Sequence, residues 1–456
     1  MKQKLILAGS AILIGMMSLL IALSTITWAH NPSELNGPYE VWILDQSDTR
    51  PDGGGTLYIY DGDKLEGPKA HKTKPEVIDL GGAARDLCLA QTGTAPRRPH
   101  MLFFNDDHTH AVISFVTTGH VLFLDAKKRT LVGVIDVGAQ AHAAVPSPDG
   151  TFVIVADQGG KKLHRIRTDY ETNTFTLEAS ATLDLATCTT PNGAPCQDSA
   201  LRPDNAPICP DFDEIGRFSF VTLRGGGLFV VDTTATPMSI VAEYDKNTIH
   251  PNGCGGVHLD GKMYIDAGGG TAANPLESDL YSFPLDSFSS TPNPPNTPAP
   301  QLIFSKDAQG FVDSHGMVLT KKDRHLWVAD RAANRIVVVD TDIDAVVNEI
   351  DLVSGLSNDP TPDLLERSPN GNRVFMALRG PVPLTGNAPG INNAVGSTPG
   401  LGIVRVEQGG RHGVLQAIVP ITNVVNGVEL ADPHGIAVRV KKAQGHTSLE
   451  LHEDMQ

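Results

Sequence analysis

The chain has 456 residues, 45 of them glycine and 32 proline, and carries a formal net charge of −16. That acidity argues against nucleic acid or an anionic membrane as partner, since both recruit basic stripes and no Lys/Arg-rich run occurs. So many turn formers point to many short strands rather than a helical bundle, and the length directs attention first to internal repeats.

Residues 1–29 open with Lys2 and Lys4, run apolar from Leu5 to Leu23 and end in Thr27-Trp28-Ala29. This is the pattern of a secretory signal peptide, and it predicts a periplasmic or secreted protein with no stable membrane association once the signal is removed. An uncleaved anchor is the alternative, because the apolar run approaches spanning length. Residues 30–440 then read as one repeat domain, and 441–456 as a disordered polar tail.

The repeating unit is clearest at Ala141 to Gln158: a short apolar strand, the turn Ser147-Pro148-Asp149-Gly150, and a second strand from Thr151 to Ala156. Related units begin near Pro99, Pro203, Pro251, Ser314 and Pro362, and His100 precedes His142 by 42 residues. Each continues into two further strands, as Val121 to Asp125 and Leu131 to Val137 show. Pro433 to Val438 is an inner strand with no hairpin after it, whereas Tyr39 to Leu80 supplies three strands with no inner one. The expected fold is therefore all-β, a seven-bladed β-propeller whose first blade is closed by strands from both ends.

In that fold the first residue of each inner strand gathers at one mouth of the axial channel. Aligning the units predicts a ring of His100, His142, Asp204, Asn252, His315, Asp363 and His434, with Ile208 and Cys209 as the other candidates in blade four. Four imidazoles suit copper or zinc better than calcium, so the four histidines are the expected metal ligands and Asp204 and Asp363 the expected ligands or proton acceptors. A second ring follows the second strands: Gln46, Gln158, Arg224, Arg331 and Arg379. With Asn252 these are the expected substrate-binding residues, since the arginine fork matches oxyanions. The long insertion Gly380 to Gly400 projects from the same face and is a candidate lid.

Five cysteines in an exported chain are free to pair. Cys188 and Cys196 bracket a Pro/Gly/Asn loop and are expected to be bonded; Cys209 with Cys254 is a plausible second bridge, leaving Cys88 over.

Units of the form Pro-His-Gly, apolar run, Ser-Pro-Asp-Gly, strand ending Val-Ala-Asp resemble the YVTN-type seven-bladed propellers. Pro251-Asn252-Gly253 followed by Asp260-Gly261-Lys262-Met263-Tyr264 is also similar to the lactonase propellers. Those hold calcium with acidic and amide side chains, a pattern only Asn252 matches. Histidines drawn from several blades are similar to those of copper-bearing propeller enzymes. These resemblances cover most of residues 39–440 and speak for fold more than for function. The leading expectation is a periplasmic, copper- or zinc-dependent oxidoreductase for a small anionic or polar substrate, working with an external electron acceptor. The alternatives are a non-catalytic YVTN-type module that binds a ligand or a protein partner, and a lactonase or lyase.

Overall fold

Runs rich in Val, Ile and Phe alternate with turns whose own side chains close them, so each strand pairs with its neighbour in sequence. At Ser147 to Gly150 the Gly150 N–H donates to Ser147 O, the Phe152 N–H to Ser147 Oγ and the Thr151 N–H to Asp149 Oδ1. Ser368 to Gly371 repeats the same three bonds through Ser368 and Asn370. This is why the Ser-Pro-Asp/Asn-Gly signature marks a hairpin.

The computed structural model describes residues 38–251, 253–268, 278–291, 297–306, 312–388 and 392–441. The signal peptide, Asn252, most of the Pro-rich run after Thr291 and nearly all of the polar tail lie outside the described residues.

The described strands form seven antiparallel blade sheets, six of four strands and one, blade three, with a short fifth strand at Leu183–Asp184, making a seven-bladed β-propeller; Val424–Val425 and Val428–Glu429 form a separate small hairpin. From the axis outward, blade two runs Pro99–Phe104, His110–Phe115, His120–Asp125 and Thr130–Asp136, and blades three to seven follow the same order. Their innermost strands are Ala141–Pro146, Pro207–Phe212, Gly256–Leu259, Ser314–Leu319 and Pro362–Arg367. Blade one is composite: Tyr39–Asp45, Thr56–Asp61 and Glu76–Asp79 are completed on the axial side by Pro433–Val440. The closing strand pairs Ile436 with Ile43 and Val438 with Val41, so no inner edge is left open.

The apolar core lies between neighbouring blades. Trp42 and Leu57 of blade one pack with Ile113 and Leu122 of blade two, and Trp327 of blade six packs with Met376 and Val404 of blade seven. The Trp327 indole N–H finds the Gly410 carbonyl at 2.6 Å, which satisfies the polar end of a fully buried ring.

Short helical segments interrupt the all-strand expectation, and the longest lies between blades one and two. Arg85–Thr92, between blades one and two, is an α-helix ended by Gly93 in a left-handed conformation (φ 79°). Its Leu and Ala residues are good helix formers, and it buries the free Cys88 against the blade-one core. Cys188 is bonded to Cys196, and Cys209 to Cys254.

Candidate functional site

Six of the seven innermost strands carry a register break at the same place, next to the residue that opens the channel. The breaks fall at 99–102, 141–143, 207–210, 314–317, 362–365 and opposite Ile43–Asp45 in the closing strand. A bulge re-aims the side chain it carries, and here it recurs at His100, His142, His315, Asp363 and His434. Gly316 and Gly435 follow two of those histidines because a Cβ at either would run into the backbone carbonyl of the next blade, Asp363 or His100. The His-Gly pairs thus let inner strands close tightly around the axis.

Blades four and five differ from the expected ring. Innermost strand Pro207–Phe212 starts after Asp204, so register puts Ile208 at the mouth. Asp204 stands in the preceding loop, where it accepts from Arg224 Nε at 2.6 Å and faces Lys161 at 3.7 Å. In blade five the pairing Gly256 with Ile265 matches Met317 with Val328 in blade six, which places Cys254 where His315 stands. Asn252 is two residues earlier and outside the described residues. The polar ring therefore has an apolar side made of Ile208 and the Cys209–Cys254 disulfide.

The remaining ring residues form one buried network. His100 Nε2 stands 3.1 Å from His142 Nε2 and 3.2 Å from His434 Nε2. Two of the rings are fixed by their other nitrogen. His434 Nδ1 donates to Asp363 Oδ2 at 2.7 Å, and a carboxylate only accepts. Gln46 Nε2 donates to Asp432 Oδ2 at 3.1 Å, which turns the amide oxygen toward His100 Nδ1, 2.9 Å away. The Nδ1 atoms of His100 and His434 thus carry their hydrogen outward, and their two Nε2 lone pairs turn toward one another, with His142 Nε2 beside them. His142 has the Ile208 backbone beside its ring, and its Nδ1 stands 4.0 Å from Cys209 Sγ. His315 completes the group, its ring 5.3 Å from that of His434 and its Nδ1 3.2 Å from Asp363 Oδ1 but out of hydrogen-bond alignment.

Burial holds all four imidazoles below their ordinary value, His142 down to about 3. Burial alone would raise Asp363, but the facing imidazoles and guanidiniums hold it well below the usual carboxylate range. Of the guanidiniums, Arg379 Nη1 lies 2.6 Å from Asp363 and Arg331 Nη1 3.3 Å. Arg331 also grips Asp313 through Nε and Nη2, and Arg379 grips Asp432 the same way. Both guanidiniums are buried and charge-balanced, so they brace the histidines more than they wait for a substrate.

Above the network lies a cavity of about 260 Å³. Of the expected residues, His100, His142, His315, His434, Arg331 and Gln158 line it; Gln46, Asp363 and Arg379 stand behind them, and Arg224 pairs with Asp204 away from it. Arg98, Thr117, Gln140 and the turn Leu384-Thr385-Gly386 line it as well. That turn belongs to the insertion Gly380 to Gly400 and is pinned by Leu384 N–H to Asp432 and by Arg379 to Thr385 O, so the insertion roofs the cavity.

The donor set fits a nitrogen-ligated ion pairwise. Copper or zinc binds imidazole at about 2.0–2.1 Å, which sets two such nitrogens roughly 3.3 Å apart on a tetrahedral ion. Among the described residues, however, the one set of three ligand atoms mutually within 4.8 Å is His142 with Cys209 and Cys254, whose sulfurs are bonded to each other. His142 and His434 each stand at the right span from His100 and must move toward each other for one ion to engage all three.

Deeper in the innermost strands, burial pushes the carboxyls of Asp211 and Glu366 up to about 7. Their folded values exceed the unfolded ones of about 4, so the folded state binds more protons and stability falls as pH rises from 4 through 7. The pair Asp211→Asn, Glu366→Gln is expected to remove roughly 1–3 kcal/mol of that loss per site. Thermal unfolding at pH 5 and pH 8 checks it, and parallel profiles for parent and variant would refute it.

Fold and cavity define a class: a closed seven-bladed propeller with a histidine-lined chamber at one channel mouth. No protein-family model matches the chain, and no curated protein matches it in sequence. Solved structures do. The chain is similar to a Lactobacillus plantarum protein (TM-score 0.54, 10% identity, 88% of this chain and 99% of that one). It is similar to the periplasmic gluconolactonase PpgL of Pseudomonas aeruginosa (0.52, 13%, 88% and 99%). It is also similar to a Bacteroides fragilis protein provisionally named a 6-phosphogluconolactonase (0.50, 11%, 90% and 99%). At these identities the likeness establishes the fold, a seven-bladed propeller with lactonase-like propellers among its neighbours.

Proposed function

We propose that this chain is an exported, periplasmic propeller enzyme that holds copper or zinc at His100, His142 and His434, with His315 beside them, and acts on a small anionic or polar molecule. The observation that carries the reading is the pair of inward Nε2 atoms of His100 and His434 at 3.2 Å, each with its Nδ1–H committed elsewhere, with His142 Nε2 3.1 Å from His100. Lone pairs so placed repel unless a cation lies between them, and an all-nitrogen set favours copper or zinc over calcium. When bound, such an ion supplies Lewis acidity, and copper a redox couple that an external electron acceptor would complete.

The chain's own residues do the rest. Asp363 and Gln46 fix the ring tautomers from behind, the role that outer carboxylates and amides play at metal-bound imidazoles. The Leu384 to Gly386 roof limits the water that reaches the chamber.

Elemental analysis of the untagged mature protein tests this. Copper or zinc is expected at one equivalent or more, falling at least about tenfold in His100→Ala while the far-ultraviolet spectrum stays β-like. A parent that takes up no stoichiometric metal even after incubation with Cu(II) or Zn(II) would sink the proposal and leave a YVTN-type module that docks a ligand or protein partner on this face.

A second reading rests on the 2.7 Å His434–Asp363 bond, which is also the arrangement of a general base oriented by a carboxylate. It fits hydrolysis of a lactone, the substrate class named for the Pseudomonas neighbour. Hydrolysis of gluconolactone by metal-free protein, lost in His434→Ala, would favour it.

A further inference from the structure

The chain is strongly acidic, yet no Asp or Glu lines the cavity at the channel mouth. Its lining is imidazole, amide, hydroxyl, apolar and guanidinium groups, and the two guanidiniums, Arg98 and Arg331, differ in what they already hold. Arg331 is spent on Asp313 and Asp363 through three of its nitrogens. Among the described residues Arg98 has no carboxylate partner. Its Nη1 donates to the neutral carbonyl of Leu384 at 3.1 Å, and its buried Nε has no acceptor. A buried guanidinium N–H without an acceptor is costly unless something else fills that position.

Two further features aim Arg98 at a ligand. It stands two residues ahead of His100 and immediately before Pro99, at the foot of the blade-two innermost strand, with a left-handed backbone (φ 59°) that few side chains adopt. Its one acceptor, Leu384 O, belongs to the turn that roofs the cavity. The side chain therefore spans from scaffold to roof and lines the cavity with a charge that no carboxylate among the described residues neutralises.

We propose that Arg98 is the specificity-determining residue of this site and that it selects a compact monoanion, which its fork engages beside the histidines. Compactness follows from volume. A chamber of about 260 Å³ is smaller than the usual range for cofactor sites. The inference deepens the reading of this cavity as a ligand site, but it does not require that metal be present.

Formate and its neutral near-isostere formamide are the probes, titrated calorimetrically into the parent, Arg98→Gln and Arg98→Lys, each with and without added copper. The parent is expected to prefer formate over formamide by at least about tenfold, the scale of a charge-assisted guanidinium–carboxylate pair. Arg98→Gln should abolish that preference, and Arg98→Lys should keep part of it, because it retains the charge and loses the fork. Metal content and β-type circular dichroism should be the same in all three. A parent with no preference for formate, or an Arg98→Gln protein that keeps the full preference, overturns the proposal whatever the metal analysis shows. Preference that depends on Arg98 in a protein that binds no metal would uphold it while removing the metal centre.

Discussion

Asp363→Ala is expected to destabilise the folded protein by about 3–5 kcal/mol and, on the proposed reading of the site, to lower copper or zinc uptake by whatever fraction still folds. The carboxylate is completely buried, and four groups converge on it: His434 Nδ1 at 2.7 Å, Arg379 at 2.6 Å, Arg331 at 3.3 Å and His315 at 3.2 Å. Removing it leaves one Nη of each buried guanidinium without its acceptor, although Asp313 and Asp432 still face them, and buried donors stripped of a charged partner cost more than ordinary lost hydrogen bonds. It also frees the His434 ring to rotate or change tautomer, so the Nε2 lone pair no longer has to face His100. Asp363→Asn keeps the shape and separates the effects: it should recover packing but not charge balance, because its NH₂ would oppose a guanidinium. Asp204→Ala is the control. Asp204 belongs to a solvent-touched pair with Arg224, and its loss should cost at most about 1 kcal/mol and leave copper or zinc uptake at the parent's level. Denaturant unfolding monitored by circular dichroism, with metal analysis on the same samples, reads both quantities. Equal losses for the Asp363 and Asp204 variants would show that the buried network is not the keystone described here.

What the sequence revealed and what it hid follow from the same repeat geometry. One residue per blade reaches the channel mouth, so His100, His142, His315, Asp363 and His434 could be aligned from turn motifs without knowing any contact. The alignment slipped in blades four and five, where Pro203-Asp204 and Pro251-Asn252-Gly253 imitate the true start. An insertion carrying the Cys188–Cys196 bridge moves the blade-four strand to Pro207, and the blade-five equivalent is Cys254.

The arginines were legible by type and not by partner. Arg331 and Arg379 follow second strands as expected, but their duty is set by Asp313 and Asp432, each standing two residues before a ring histidine. The repeated Asp-x-His at 313–315 and 432–434 was the available signal. Arg98 had none: it recurs in no other blade, and its place in the cavity depends on Leu384, which lies 286 residues away.

Deleting residues 433–456 should have the largest effect of all, abolishing the cooperative unfolding transition. The closing strand Pro433–Val440 lies between blade one and the axis. It buries Ile436, Ala437 and Val438 and pairs along the length of Tyr39–Asp45. Burying Ile436 and Val438 contributes roughly 1.5–3 kcal/mol each, and every ladder bond about 1 kcal/mol. Together these rival the whole 5–15 kcal/mol margin of an ordinary domain. The deletion also removes His434 and its contacts with Asp363 and His100, so fold and site should disappear together. A peptide of residues 432–441 added in trans separates loss of the strand from general misfolding. Rescue of β-type circular dichroism by that peptide, and weaker rescue by one carrying Gly435→Val, would show that the ring is closed by a single replaceable strand whose glycine must lie against the His100 carbonyl. A truncated protein that melts at the parent's temperature would mean that the other six blades close the channel without it, and that the histidine cluster is not tied to closure of the fold.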